Sequence, residues 1–126
     1  MKDSATVRVL VVDNEPEILS LLEEFLTDEG YAVSTARDGA EALERARQAP
    51  PDLILLDMLM PIMDGWAFAR EYRRLPGPQA PIIVTAATYT EDRAHQISAT
   101  DHCAKPFELD ALLALIRRHT RADCQG

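Results

Sequence analysis

Five times along this chain a short aliphatic run gives way to a helical pattern, and that alternation restricts the fold more than any other feature. Residues 7–12 are almost continuously aliphatic, as expected of a strand covered on both faces. Asp13-Asn14-Glu15-Pro16 then reads as a helix start: capping side chains, an early acid, and proline at the first helical position. Ile18, Leu21, Leu22, Phe25 and Leu26 follow at spacings of three and four on one predicted helix face, and Gly30 stops the helix. The second unit is a strand over 31–36 and a helix over 39–48, with Ala42, Leu43 and Ala46 inward and Pro50-Pro51 after it. Leu53-Ile54-Leu55-Leu56 is the most apolar run, is placed at the centre of the sheet, and leads straight into Asp57. A loop over 58–64 precedes a third helix that carries Trp66, Phe68 and Tyr72, of which Trp66 and Tyr72 are assigned to the core, and Pro76-Gly77-Pro78 breaks it. The fourth strand is 82–85 and the fourth helix, 90–99, is weak and polar. A short strand over 102–104 precedes a last helix that buries Leu109, Leu112, Leu113 and Ile116 and ends near Arg121.

Strands alternating with helices at this spacing imply an α/β fold: a parallel sheet, right-handed crossovers and helices on both faces, doubly wound. In such a sheet the functional crevice lies beyond the carboxyl ends of the strands. With no repeat and no internal linker, residues 1–126 read as one domain, with a core of about 6–121 and a short polar tail.

Composition narrows the partners. The net charge of −8 argues against nucleic-acid binding and against a polybasic membrane contact, both of which need clustered Lys and Arg. Residues 1–6 lack the basic start and apolar run of a signal peptide, and no apolar run is long enough to cross a bilayer. Cys103 and Cys124 form neither a disulfide framework nor a metal-knuckle spacing, so both are expected to be reduced thiols in a cytoplasmic protein.

The predicted strand ends carry Asp13 and Asn14 (first), Asp57 (third), Thr85 (fourth) and Lys105 (fifth). Asp13 and Asp57 would come from neighbouring strands, and two close carboxylates repel unless a cation intervenes. Mg²⁺ suits such a site, because it takes hard oxygen ligands and keeps several waters beside one or two carboxylates and a phosphate. Lys105 then supplies a point charge for phosphoryl oxygens and the Thr85 hydroxyl a hydrogen bond. A carboxylate nucleophile, a metal, a cation and a hydroxyl donor together describe phosphoryl transfer onto Asp57. No glycine-rich phosphate loop is present, which argues against a bound nucleotide.

Four stretches resemble the receiver domains of two-component signalling, in the family's order: Val11-Val12-Asp13-Asn14-Glu15-Pro16; Leu55-Leu56-Asp57-Met58-Leu59-Met60-Pro61-Ile62-Met63-Asp64-Gly65; Thr85-Ala86; and Lys105-Pro106-Phe107. The resemblance implies a single receiver domain with a flavodoxin-like (βα)5 fold and strand order 2-1-3-4-5. It implies that Asp57 accepts phosphate from a sensor histidine kinase or histidine phosphotransfer protein. Mg²⁺ is then held by Asp13, Asn14, Asp57 and the backbone carbonyl of Leu59, while Lys105 and Thr85 contact the phosphoryl group and Lys105–Pro106 is cis. The implied role is a signalling phosphoprotein that switches a surface for a downstream protein target. No catalytic turnover is expected beyond self-catalysed phosphorylation and slow loss of the phosphate.

The sequence departs from the family's pattern in four places. Asn14 stands where a second metal-binding acid is usual, so weaker Mg²⁺ affinity is expected. Thr85 lies four residues after Pro81, and ungapped counting would put Ala86 at the switch position instead. His102 occupies the place of an aromatic switch residue. Leu59 and Ala87 border the acceptor and are apolar, so neither positions water for hydrolysis. The bistable segment is expected within 85–104, and Arg117, Arg118 and Arg121 lie near the surface it would alter. Asn14 and the unsettled Thr85 keep a rival open, a receiver that docks its partner without phosphate. An aspartyl-phosphate hydrolase usually carries a second acid two residues after its nucleophile, and Leu59 is there.

Overall fold

Covering both faces of a parallel sheet demands apolar side chains at successive strand positions, and β1 (Arg8–Val12), β3 (Leu53–Asp57) and β4 (Ile82–Ala86) supply them. The structure, a computed structural model, describes residues 6–88 and 90–120. With β2 (Ala32–Ala36) and β5 (Asp101–Ala104) these strands form one parallel sheet in the order β2-β1-β3-β4-β5. The helices between them are α1 (Pro16–Asp28), α2 (Gly39–Gln48), α3 (Gly65–Tyr72) and α4 (Thr90–Gln96), and α5 (Leu109–Thr120) follows β5. This is the doubly wound flavodoxin-like order expected of the sequence. No helix among the described residues is long and apolar enough to cross a membrane.

Strand alternation divides the core in two. Val9, Val11, Leu53, Leu55 and Ile83 meet Leu19, Leu22 and Leu26 of α1 and Leu112, Leu113 and Ile116 of α5. Leu10, Val12, Ile54, Leu56, Ile82 and Val84 meet Leu43 of α2, Phe68 and Tyr72 of α3 and Ala94 of α4. Each large aliphatic side chain so buried contributes roughly 1.5–3 kcal/mol. The strands thereby become a rigid platform for whatever follows their carboxyl ends.

Several local expectations need correction. On α1 the buried stripe is Leu19, Leu22 and Leu26, whereas Leu21 is 48% exposed. The 100° turn per residue carries Leu21 to the far side of a stripe edged by Ile18 and Phe25. Asp13 does not cap α1. The N-cap is Glu15, without a side-chain bond, and Asp13 Oδ1 instead accepts the Glu15 N–H at 2.9 Å. Trp66 is only partly buried, since its indole lies at the core's edge and Nε1 donates to Gln96 Oε1 at 2.7 Å. Tyr72 is core: it stacks on Phe68, and its hydroxyl accepts the Ala80 N–H at 2.9 Å. Leu109 is only half-buried at the start of α5. Arg117 and Arg118 on that helix pair with Glu29 at 3.2 Å and Asp101 at 4.0 Å. Arg121 and Cys124 lie outside the described residues.

Helix α4 ends at Gln96, three residues before its predicted end. The reason is a left-handed turn at Ser98, φ +54°. The Ser98 and Ala99 N–H groups reach back to the His95 and Ala94 carbonyls at 3.1 and 2.8 Å. Gly30, φ +99°, ends α1 the same way, with N–H bonds from Gly30 and Tyr31 to the Thr27 and Leu26 carbonyls. Arg73 completes the end of α4 by donating to the Ile97 and Ser98 carbonyls. A side chain at φ > 0 is strained, so Ser98→Gly should stabilise the protein by about 0.5–1 kcal/mol in urea unfolding. Gly30→Ser should cost about 1 kcal/mol, through backbone strain alone, because a Cβ there meets nothing within 4 Å.

Candidate acceptor site at the strand ends

Three polar or charged side chains are buried among the described residues: Asp13 at 2% exposure, Asp57 at 5% and Thr85 at 3%. Asp13 follows β1 and Asp57 ends the adjacent β3, so the strand order alone brings the two carboxylates together. Lys105 follows β5 and reaches across to both. Its Nζ lies 2.7 Å from Asp13 Oδ2, 3.7 Å from Asp57 Oδ1 and 3.7 Å from Glu15 Oε2. The Lys105 N–H donates to the Ala86 carbonyl at 2.8 Å, and the Lys105–Pro106 peptide is cis.

The electrostatics follow from burial with too few cations. Burial foremost, then the Asp13 charge, pushes the Asp57 carboxyl up from 3.8 to about 6, against the opposing pull of Lys105 and of the Leu59 and Met58 backbone amides. Burial alone would lower the Lys105 ammonium. The hydrogen bond and charge of Asp13, with Asp57 and Glu15 behind it, outweigh burial and hold it above its usual value.

A cavity of about 140 Å³ opens over Asp57. Asn14 and Glu15 border it from the loop after β1, Leu59 from the loop after β3, Ala86, Ala87 and Thr88 from the end of β4, Lys105 from beyond β5, and Arg93 from α4. Asp13 is not on this wall; it is buried and paired with Lys105. Thr85 is the register partner of Asp57, yet it does not line the cavity. β4 runs one residue further than predicted, to Ala86, and Thr85 within it is buried. Of the two counts left open by the sequence, the cavity wall matches Ala86, and its hydroxyl side chain is Thr88. His102 is exposed on β5, opposite Val84, and is not on the wall. Thr88 and Arg93 carried no signal in the sequence, because that part of the wall depends on where β4 stops and how α4 is turned, and Glu15 was read only as an early acid of the first helix.

The loop after Asp57 is held tightly. A Cβ on Gly65 would lie 2.5 Å from Met58 Sδ, 2.8 Å from Met58 Cα and 3.0 Å from the Asp57 carbonyl oxygen. Only glycine lets the start of α3 dock against the backbone at the end of β3. Asp64 caps that helix by accepting the Ala67 N–H at 3.0 Å. Among the described residues no three His, Cys, Asp or Glu side chains converge on one metal position. The cavity wall instead offers oxygen donors from Asp57, Glu15 and the Asn14 amide, above the buried Asp13. Such a hard, sparse donor set fits an ion that retains much of its water, as Mg²⁺ does.

An α/β domain of this strand order, with an acidic pair and a lysine at its carboxyl ends, has a flavodoxin-like fold. The chain belongs to the response regulator receiver domain family, whose pattern residues 9–117 match. It is 38% identical over 112 residues to the transcriptional regulatory protein PrrA of Mycobacterium leprae, covering 87% of this chain and 48% of that protein. It is 39% identical over 118 residues to the transcriptional regulatory protein DltR of Streptococcus agalactiae, covering 91% and 52%. The chain thus spans about half the length of these curated relatives. Among solved structures it superposes on the chemotaxis response regulator CheY4 of Vibrio cholerae with a TM-score of 0.80 and 32% identity, covering 90% of this chain and 98% of that one.

The raised Asp57 carboxyl has a consequence for stability. Between pH 3.8 and about 6 the folded protein binds more protons at Asp57 than the unfolded chain does, so the stability this group contributes is present at low pH and lost as pH rises through 6. Asp57→Asn should therefore stabilise the protein in a chelator at pH 7.5, by on the order of 1–3 kcal/mol. The gain should shrink toward zero near pH 4. Urea unfolding of both proteins across that range checks it, and a gain independent of pH would contradict it.

Proposed function

We propose that Asp57 is the phosphoryl acceptor of this receiver, with phosphohistidine on a sensor histidine kinase or histidine phosphotransfer protein as the donor. One observation carries the reading: Asp57 lines the cavity, while Asp13, also buried, does not and pairs through Oδ2 with Lys105 at 2.7 Å. An Asp57 oxygen attacks phosphorus, the phosphorus–nitrogen bond to the donor imidazole breaks, and the imidazole leaves with the bonding pair. Asp57 is left as an acyl phosphate. Lys105, 3.7 Å from the attacking carboxylate, is placed to neutralise the incoming oxygens. Asp13 holds the ammonium in position.

The residues that would hold Mg²⁺ are Asp13, Asp57, Asn14 through its amide oxygen, and Leu59 through its backbone carbonyl. When bound, the ion offsets the repulsion between carboxylates and phosphoryl oxygens. Asn14 brings no charge to that set, so Asn14→Asp should lower the Mg²⁺ concentration for half-maximal phosphorylation by roughly three- to tenfold. Leu59 is 57% exposed at the cavity mouth and presents apolar surface to approaching water. It favours slow loss of the phosphate.

With acetyl phosphate and Mg²⁺, the intact protein should gain one phosphoryl group, and Asp57→Ala none. Thr85→Ala should keep the modification, because Thr85 is walled off from the cavity. The rival, a receiver that docks a partner without phosphate, is favoured by Asn14 and by Ala86 at the cavity wall. Failure of the folded parent to gain a phosphoryl group from either acetyl phosphate or a phosphorylated histidine kinase would establish that rival instead.

A further inference from the structure

We propose that Arg93 is a second cation for the phosphoryl group on Asp57, and the residue through which the new charge acts on α4. The inference rests on the acceptor reading above and adds a residue and a route to it. Arg93 lies within α4 and lines the same cavity as Asp57 and Lys105. At rest its Nε donates to the Thr88 carbonyl at 3.0 Å, and its guanidinium sits 5.4 Å from the centre of the Trp66 ring.

The charge balance points to its recruitment. The site already places Asp13, Asp57 and Glu15 around one ammonium. A phosphoryl group brings about −1.5 to −2 more. Lys105 is held by Asp13, and Arg93 is the other cationic side chain on the cavity wall. A guanidinium matches two phosphoryl oxygens with two parallel N–H donors, which an ammonium cannot do.

The mechanical consequence follows from where Arg93 is mounted. Helix α4 has seven residues, of which Ala94 alone is buried. Trp66 is joined to it twice, by the Arg93 stack and by the Trp66–Gln96 hydrogen bond. Drawing the guanidinium toward the phosphoryl group uncovers the indole and shifts α4 against α3. This couples Asp57 to α4 in a chain whose cavity wall carries an alanine, Ala86, rather than a hydroxyl at that point.

Trp66 is the sole tryptophan of the sequence, so its emission reports directly on Arg93. Beryllofluoride with Mg²⁺, a non-covalent stand-in for the phosphoryl group, is titrated into the full 126-residue chain while Trp66 emission is followed. In the parent, emission should change in proportion to saturation. Arg93→Gln should raise the half-saturating concentration by roughly fivefold and leave emission flat, as expected for a partly solvated charge-assisted contact. Arg93→Lys, which keeps charge but not the planar fork, should fall between the two. Circular dichroism establishes that each variant is folded. An Arg93→Gln protein that binds as tightly as the parent overturns the proposal, whatever its emission does. If the folded parent neither binds beryllofluoride nor gains a phosphoryl group from acetyl phosphate, the acceptor reading itself falls, and Arg93 with it.

Discussion

The rest of the site depends on one ion pair, the 2.7 Å contact between Lys105 and Asp13, formed across 92 residues of sequence. A buried carboxylate without a partner is costly, and two side by side are worse. One ammonium placed against Asp13 and within 3.7 Å of Asp57 makes the pair tolerable without neutralising it. The remaining imbalance falls on Asp57, whose carboxyl is pushed up to about 6. The same geometry separates the two acids: Asp13 turns its Oδ2 to Lys105, and Asp57 lines the cavity. Parallel strand topology makes this possible, since β1 and β3 are neighbours and a lysine side chain is long enough to return from beyond β5.

Much of this was legible in the sequence, and the reasons differ by element. β3 was plain because a strand covered on both faces has no polar position to confuse its pattern, and its last residue could be identified as delivered to the sheet edge. The interval of glycine, proline and capping residues around Asp64-Gly65 located α3 equally well. Leu21 was misplaced because spacings of three and four admit two overlapping stripes, and only packing on the sheet selects Leu19. The end of α4 was invisible because Ser98 takes a backbone conformation that glycine usually signals. Trp66 looked like core because periodicity says which face a residue is on, not how deep it lies.

The cavity wall was the least legible part. Its residues are set by where β4 stops: the strand runs to Ala86, and Ala86, Ala87 and Thr88 line the cavity while Thr85 does not. Arg93 belongs to a helix too polar to reveal its orientation from pattern. Buried acids and the lysine could be read from strand ends because a doubly wound sheet puts every strand's carboxyl end on one edge. Side chains that reach the site from a helix flank have no such rule. The family membership shared with PrrA, DltR and CheY4 describes the scaffold.

The central claim, that the two buried acids divide into a lysine anchor and an acceptor, is tested most directly by chemical trapping. Borohydride reduces an acyl phosphate and converts the aspartate that carried it to homoserine. After treatment with acetyl phosphate and Mg²⁺, reduction and peptide mass mapping should find homoserine at position 57 and unmodified aspartate at position 13. Homoserine at position 13, or phosphate recovered on a residue outside the cavity, would contradict the account.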